Sequence, residues 1–159
     1  MRYWLMKSEP AEFSIDDLAR VGREPWSGVR NYQARNFIRD DMRPGDRVLF
    51  YHSSCAEPGV VGLARVASTA YPDPTQFDAR SPYHDARSSH AQPRWLLVDI
   101  AFERKLPRPV GLARLRSEPA LADWALLQRG NRLSILPVSK TQWDAVLQLA
   151  SSPQPHGVN

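Results

Sequence analysis

Two short stretches of the chain place aromatic rings directly beside hydrogen-bonding side chains. They read YWLMKSEP over residues 3–10 and WSGVRNYQAR over residues 26–35. A flat ligand with a polar edge, such as a nucleobase, needs a ring face to stack on, which is worth about 1–3 kcal/mol per base. It also needs donors and acceptors that read its edge. The two stretches therefore predict a site for a planar heterocycle.

The second stretch carries the candidate stacking residues. Gly28 permits close approach of the backbone, and the loop leads into a predicted helix whose free N–H groups point back at it. Asn31 and Gln33 carry both donor and acceptor atoms, as recognition of a base edge requires. Trp26 or Tyr32 is the candidate stacking surface. The alternative is that Trp26 packs in the core and Asn31 only caps the helix.

The first stretch supplies candidate acceptors at the point where a predicted strand turns. The Ser8 hydroxyl and the Glu9 carboxylate are suited to accept a base amino group, as acids do from cytosine N4. A surface salt bridge between Glu9 and Lys7 or an arginine is the alternative. Both interpretations stay open at this point.

Two other tyrosine-containing stretches add candidates. Ser53 ends a predicted strand and is small enough to lie under a ring. The neighbouring His52 is interpreted as a satisfied interior histidine, because no carboxylate lies near it in the sequence. Tyr71 precedes a Pro-Asp-Pro turn, where it is either a pocket wall or an anchor for the loop that follows.

Arginine dominates the positive charge of the chain. There are 18 Arg and 3 Lys, the net charge is +4 and the isoelectric point is near 9.6. Guanidinium groups bind phosphate oxygens bidentately, so this balance favours a polyanion, although codon bias in a GC-rich genome explains it equally well. Arg35, Arg39 and Arg43 lie four apart on one predicted helix. They form either a solvated face or a phosphate-contacting edge.

The residue patterns favour binding over catalysis. The chain contains no HExxH, Walker, GxSxG or GxGxxG pattern. No cysteine-hydrolase signature surrounds His52 and Cys55, and a single cysteine with four scattered histidines argues against structural zinc. We therefore expect no catalytic residue, no metal and no cofactor. The alternative is a small hydrolase or RNA-modifying enzyme that acts on a nucleotide-like substrate with Glu9 or His52 as base; a regulatory domain for a nucleotide-like metabolite is a third interpretation.

Capping residues and apolar periodicity predict the helices that position these groups. Ser14 and Gly22 are placed to begin and end a short helix, and Ser139 opens a last helix with a capping box. Apolar side chains recur at helical spacing over residues 33–42. Two further short helices are predicted within residues 111–115 and 121–127.

Strands are predicted where apolar residues alternate or run together. Residues 46–52 are apolar on both faces, so both faces are expected to meet other elements. Gly62 permits close backbone approach in a tightly curved sheet. The run 94–102 is expected to be a central strand, and residues 72–93 are expected to form a long loop. The remaining predicted strands cover residues 2–7, 60–70 and 133–138.

Length and composition favour a single small domain. The 159 residues are 42% hydrophobic, which is enough for one sizeable core. No stretch approaches the roughly 20 apolar residues that a spanning helix needs, and the N-terminus lacks a signal-peptide layout. We expect a monomeric, cytoplasmic protein with no membrane association. The last nine residues, 151–159, contain two prolines and no core residue, and are predicted to be a disordered tail.

Five short sequence motifs, and the order in which they occur, resemble those of the EVE domain family of the PUA-like superfamily. The resemblance covers residues 1–149. The motifs are the two stretches above together with FYHS at 50–53, YPDPTQF at 71–77 and RLS at 132–134. The resemblance implies an α+β fold with a PUA-like twisted mixed β-barrel or sheet and short flanking helices, as a single domain over residues 1–150. It also implies a small pocket for a base and no catalytic activity. Leu136 departs from the family, which often has a glutamine at that position.

Residues and resemblance together predict a reader module for DNA or RNA, nucleoid-associated, or nuclear in a eukaryote. It would stack one flipped or unpaired base, expected to be modified like 5-methylcytosine or 5-hydroxymethylcytosine. The predicted phosphate-contacting residues are Arg30, Arg35 and Arg39. The predicted ligand-binding residues are Lys7, Ser8, Glu9, Trp26, Val29, Asn31, Tyr32, Ser53, Tyr71, Arg132 and Ser134.

Overall fold

The strands form one curled mixed sheet and one small ribbon. The computed structural model describes residues 1–152. Its strands are β1 (Tyr3–Ser8), β2 (Arg23–Pro25), β3 (Arg47–His52), β4 (Gly59–Val66), β5 (Tyr71–Pro72), β6 (Leu96–Leu97), β7 (Asp99–Gly111) and β8 (Ile135–Val138). Six of them form a sheet in the order β2-β7-β4-β3-β1-β8, in which only β1 and β3 run parallel, and β5 pairs with β6.

Short helices flank this sheet. They are α1 (Ile15–Val21), α2 (Tyr32–Asn36), α3 (Leu112–Arg116) and α4 (Lys140–Ser151). A π-helical turn, Phe37–Asp41, continues α2, and 3₁₀ turns occupy Pro74–Phe77, Pro119–Leu121 and Ala125–Leu127. The predicted α+β class, with a twisted mixed sheet and short helices, is confirmed.

The helix boundaries follow the predicted capping residues. The Ser14 hydroxyl accepts from the Asp17 N–H, and the Asp17 carboxylate accepts from the Ser14 N–H. Gly22 ends this helix with a positive φ of 80°. Ser139 and Gln142 form the same reciprocal pair at the start of α4. Such caps satisfy N–H groups that the first turn cannot pair internally.

The sheet has a hydrophobic core on each side. Val48 and Phe50 of β3 point into the core covered by α1 and α2, whereas Leu49 and Tyr51 point into the core covered by α3 and α4. The side chains alternate because successive residues of a strand face opposite sides. The prediction that both faces of this strand meet other elements is confirmed.

Gly62 is the point where the sheet and α1 approach most closely. A Cβ atom there would lie 2.9 Å from the carbonyl oxygen of Arg104 and would overlap the Ile15 side chain. Register shifts in the β3–β4 and β4–β7 pairings accompany this approach. Shifts of this kind increase the local twist, which is how the sheet curls. The predicted close backbone approach is confirmed.

The apolar run at residues 94–102 behaves differently from its prediction. It divides into β6, in the ribbon, and β7, which continues to Gly111. β7 lies one place from the sheet edge, beside the three-residue β2, so the prediction of a central strand is wrong. The run is buried because Trp95 and Leu97 pack beneath the long loop.

Three other boundaries also differ from prediction. In place of a helix over residues 121–127 there are two 3₁₀ turns, Pro119–Leu121 and Ala125–Leu127, and β4 ends at Val66 rather than continuing to residue 70. Ser151 closes α4 instead of starting a tail, and residues 153–159 of the predicted tail lie outside the described residues. The single-domain boundary at residue 150 stays a prediction.

Two buried polar side chains organise the long loop at residues 72–93. The Gln76 amide donates to the carbonyl oxygens of Asp73 and Trp95, and its oxygen accepts from the Trp95 N–H and the Ser88 hydroxyl. Gln76 and Asp73 are both fully buried. Because every polar atom of Gln76 is paired, the loop is held without an apolar core of its own.

Asp46 fastens the N-terminal strand to the start of β3. It is only 3% exposed, and its carboxylate accepts from the N–H groups of Arg2 and Arg43 and from the Trp4 indole, each at 3.0 Å. The Trp4 ring is itself buried, so no water can replace this acceptor.

We predict that Asp46→Ala lowers the free energy of unfolding by about 2–3 kcal/mol, because it leaves the buried Trp4 indole N–H without an acceptor. Urea unfolding followed by tryptophan fluorescence measures this. Asp144→Ala is the control, since it removes only an exposed ion pair with Lys140 and should cost less than about 1 kcal/mol. Equal losses in the two variants would contradict the role of Asp46.

Candidate functional site

A cavity of about 550 Å³ opens where the ends of β1 and β3 meet the loop that follows β2. The two strands are parallel, so their C-terminal ends lie side by side, and the Ser53 N–H donates to the Ser8 carbonyl at 3.0 Å. The Lys7 N–H donates to the Ser134 carbonyl at 2.9 Å, which brings in the segment before β8. Predicted residues that line the cavity are Lys7, Ser8, Glu9, Trp26, Val29, Asn31, Ser53, Arg132 and Ser134.

Trp26 belongs both to the core and to the cavity wall. It is 8% exposed and meets Phe13 and Phe50 edge to face, with ring centroids 6.2 and 5.5 Å apart. Its indole N–H donates to no protein group within residues 1–152. Core packing therefore fixes the ring, and part of it borders the cavity.

Tyr83 is a second aromatic wall that sequence reasoning missed. Gly28 has a φ of 90°, and a Cβ atom at this position would lie 2.8 Å from Cζ of Tyr83. The tyrosine ring therefore lies directly over the glycine backbone and lines the cavity. The available signal was an aromatic residue within a polar, aperiodic loop, which by itself does not indicate a site.

Arg30 has no N–H group left for a phosphate. Its Nε and Nη2 donate to the Tyr83 carbonyl, Nη2 also donates to the Thr75 hydroxyl, and Nη1 donates to the Val29 carbonyl and the Asp73 carboxylate. These bonds, at 2.8 to 3.0 Å, use all five donors of the guanidinium. Arg30 therefore braces the cavity wall, and its contact with phosphate stays a prediction that these bonds disfavour.

Asp73 is the buried partner of this arginine. Its carboxylate accepts from the Gly28 N–H at 2.8 Å, from Nη1 of Arg30 at 3.0 Å, and from the N–H and hydroxyl of Thr75. Burial by itself raises the pKa of Asp73, but the hydrogen bonds from Thr75, Gly28 and Arg30 outweigh it and hold the pKa below its ordinary value. The carboxylate is therefore charged at neutral pH.

Two predicted pocket tyrosines lie outside the cavity. Tyr32 is 51% exposed and stacks on Trp95 with centroids 4.8 Å apart, and the Arg35 guanidinium lies 4.9 Å from the Tyr32 ring. The Tyr71 hydroxyl donates to the Asp99 carboxylate, and burial together with this carboxylate raises the pKa of Tyr71 to about 12. Neither ring lines the cavity, because each packs against another part of the surface, and their contact with a ligand stays a prediction.

The predicted arginine stripe is also divided. Arg35 donates to the Arg94 carbonyl at 2.6 Å, whereas Arg39 is exposed and pairs with Asp40 at 2.8 Å. The π-helical turn ends at Asp41 and Met42 is extended, so Arg43 lies beyond the helix and not on the same line. Neither Arg35 nor Arg39 lines the cavity, and their contact with phosphate stays a prediction.

The lining of the cavity carries charges of both signs, with Lys7, Arg30 and Arg132 beside three glutamates. Glu9, Glu12 and Glu24 line it, and burial, with a smaller effect of Asp99, raises the pKa of Glu24. Lys7 is half-buried, and burial lowers its pKa. Within the described chain no carboxylate lies within 4 Å of the Lys7 ammonium, so the alternative of a Lys7–Glu9 bridge is wrong.

Two predicted recognition residues keep part of their hydrogen-bonding capacity. The Asn31 side-chain oxygen accepts from the Ala34 N–H at 3.1 Å, which confirms its capping role and leaves its NH₂ group without a protein partner among residues 1–152. The Ser8 hydroxyl donates to the Phe13 carbonyl, so its oxygen remains an acceptor. Leu136 is buried against the far core and does not border the cavity.

The groups considered for catalysis are placed unfavourably. The His52 Nε2 accepts from the Ile15 N–H at 3.1 Å, and burial lowers the pKa of His52. It is the satisfied, neutral interior histidine that the sequence predicts. Among residues 1–152 there is no cluster of three His, Cys, Asp or Glu side chains suited to a metal ion. None of the helices described there is long and apolar enough to cross a membrane.

A curled mixed sheet with short flanking helices defines a small α+β domain. Residues 2–149 match the family model described as the EVE domain, and the chain belongs to this family. The resemblance seen in the sequence is thereby confirmed.

Relatives of known name and structure share the whole domain. Human thymocyte nuclear protein 1 is 42% identical over 92% of this chain and 73% of its own length. A crystal structure of the human protein with DNA containing 5-methylcytosine has a TM-score of 0.91 at 40% identity, over 96% of this chain and 99% of the other. A Pseudomonas syringae protein has a TM-score of 0.90 at 51% identity, over 93% and 99% of the two chains.

We predict that Asp73→Asn lowers the free energy of unfolding by about 2–3 kcal/mol at neutral pH, since it removes the charge that Arg30 faces. The pKa of Asp73 is lowered on folding, so the carboxylate contributes fully above its ordinary pKa of 3.8 and loses that contribution as the pH falls through its lower folded value. The difference between variant and wild type should shrink below about pH 4 in urea unfolding. Asp78→Asn, at an exposed site, should show no comparable loss.

Proposed function

We propose that this EVE domain is a nucleic-acid reader that holds one modified base, such as 5-methylcytosine or 5-hydroxymethylcytosine, in the cavity. The observation that carries the proposal is the conjunction of two aromatic walls, Trp26 and Tyr83, with polar groups that have no protein partner. The human relative crystallised with DNA containing 5-methylcytosine supports the choice of ligand.

The edge of cytosine matches the polar groups of the cavity. Cytosine presents an amino group, for which the carboxylates of Glu9 and Glu24 are acceptors. Its remaining polar edge accepts hydrogen bonds, for which the Asn31 amide and Lys7 are donors. The apolar side chain of Val29 provides a surface for a methyl substituent.

The base must leave its stack to enter. A cavity of about 550 Å³ between protein loops cannot admit a base pair within a duplex. An unpaired base, or one flipped out of the helix, fits the requirement. A methyl or hydroxymethyl group on cytosine then raises the affinity, because it makes contacts in the cavity that unmodified cytosine cannot make.

Binding is favoured over turnover by the state of the candidate bases. His52 already accepts a backbone N–H at Nε2, and Glu9 lies at the exposed rim with no side chain that orients it among residues 1–152. General-base catalysis needs a base positioned by a partner. Conversion of a modified nucleoside by the protein, abolished in Glu9→Gln, would instead establish the hydrolase alternative.

We predict that Tyr83→Ala weakens binding of a 5-methylcytosine oligonucleotide by about 1–3 kcal/mol, because it removes one ring face from the cavity. Tyr32→Ala is the matched control, since Tyr32 is an exposed tyrosine that does not line the cavity. Fluorescence anisotropy with methylated and plain oligonucleotides measures both. A loss in Tyr32→Ala without one in Tyr83→Ala would place the base elsewhere, and equal affinity for all bases would refute the proposal.

We further predict that Glu24→Gln reduces the preference for cytosine bases by about 1–3 kcal/mol, because an amide can present its NH₂ group to the base amino group. Since the pKa of Glu24 is raised, wild-type affinity should decline on acidification at a higher pH than for an ordinary glutamate. The variant should lack this decline. Glu57→Gln, an exposed residue outside the cavity, is the control.

A further inference from the structure

A second cavity adjoins the first and shares part of its wall. It has a volume of about 620 Å³ and lies between the ends of β1 and β3, the start of α3 and residues 126–131. Lys7, Ser53 and Ser54 line both cavities. A ligand that fills the first cavity can therefore extend into the second across these three residues.

The two cavities differ in charge. Lys7, Arg116 and Arg129 line the second cavity, and no aspartate or glutamate of the described chain lines it. The first cavity has three glutamates in its lining, together with Arg30 and Arg132. The glutamates of the first cavity suit the amino edge of a base, whereas the second cavity, whose charged lining residues are all cationic, suits an anion.

The two arginines of the second cavity are available for a ligand. Within residues 1–152, neither Arg116 nor Arg129 forms a side-chain hydrogen bond or an ion pair. By contrast, all five N–H groups of the Arg30 guanidinium donate hydrogen bonds within the protein, and Arg39 forms an ion pair with Asp40.

The Tyr51 hydroxyl is a further donor without a protein partner in the second cavity. Tyr51 lines this cavity, and its hydroxyl has no hydrogen-bond partner among the residues described. Burial and the nearby Cys55 raise the pKa of Tyr51, with Arg116 opposing them, so the hydroxyl stays a donor. It is therefore available to donate to an acceptor on a ligand.

We propose that the second cavity is a phosphate subsite, which binds the backbone phosphate of the nucleotide whose base occupies the first cavity. This inference rests on the proposed function. Arg116 and Arg129 bind the phosphate oxygens from the rim, and the Tyr51 hydroxyl donates from the floor. Lys7 lies between base and phosphate, where the sugar links them.

The test compares an oligonucleotide with a free nucleoside, because only the former carries a phosphodiester. The probes are a single-stranded oligonucleotide with one 5-methylcytosine, made as DNA and as RNA, and 5-methylcytidine or its deoxy form. The variant is Arg116→Gln/Arg129→Gln. The control is Arg104→Gln/Arg108→Gln, two exposed arginines of β7 that line neither cavity and change the net charge equally.

We predict that the double variant weakens oligonucleotide binding at least about tenfold at low salt and leaves nucleoside binding unchanged. The slope of log Kd against log salt concentration should fall by about 0.7, since the two arginines bind one phosphate and each lost phosphate contact on a single strand removes about 0.7. The control pair should change neither quantity comparably. Thermal unfolding of all variants checks that the fold is retained.

Tyr51→Phe is a second, nearly isosteric variant. It should weaken oligonucleotide binding about tenfold and spare nucleoside binding, because it removes one hydrogen bond to a charged acceptor and leaves the ring in place. Unchanged oligonucleotide affinity in this variant would remove Tyr51 from the subsite and overturn the proposed floor.

The outcomes separate this inference from the proposed function. A salt slope unchanged in the double variant, or reduced equally in the control pair, overturns the phosphate subsite even if 5-methylcytosine is preferred. Loss of nucleoside binding in the double variant overturns it too. A reduced slope without any base preference supports the subsite and refutes the proposed base specificity.

Discussion

The cavity depends on one buried carboxylate more than on any of the residues that border it. Asp73 accepts hydrogen bonds from Gly28 and Arg30 of one loop and from Thr75 of another, and it is fully buried. The same arginine holds the carbonyl of Tyr83. These bonds connect the two loops. They therefore hold the Trp26 and Tyr83 rings at a fixed distance from each other, although no strand lies between the rings.

Parallel pairing of β1 with β3 supplies the rest of the site. Parallel strands bring their C-terminal ends to one edge, so Lys7 and Ser8 come to lie beside Ser53. The curl of the sheet, with Gly62 packed against α1, turns this edge toward the loop after β2. A rigid scaffold thus presents side chains from segments far apart in the chain, as binding sites on loops generally require.

The distribution of unused hydrogen-bonding groups gives the site its chemical character. Arginines that the protein has already paired, such as Arg30, stiffen a wall, and those left unpaired, such as Arg116 and Arg129, are free to meet an anion. The half-buried Lys7 lines both a cavity that contains glutamates and a cavity whose charged lining residues are all cationic. Affinity for a nucleotide can then arise from complementary charge at both ends of one ligand.

Local rules determined much of this protein from the sequence alone. The caps at Ser14 and Ser139, the alternation along β3 and the clustering of Lys7, Ser8, Trp26 and Asn31 depend on residues near one another in the chain or on words characteristic of the family.

Only the tertiary structure decided that Tyr83 forms a wall of the cavity. It also decided that Tyr32 stacks on Trp95 outside the cavity, and that the Arg30 guanidinium is paired with Asp73. These outcomes depend on loops that meet across 43 or more residues, and a side chain has the same sequence neighbours whether its donors are free or already paired.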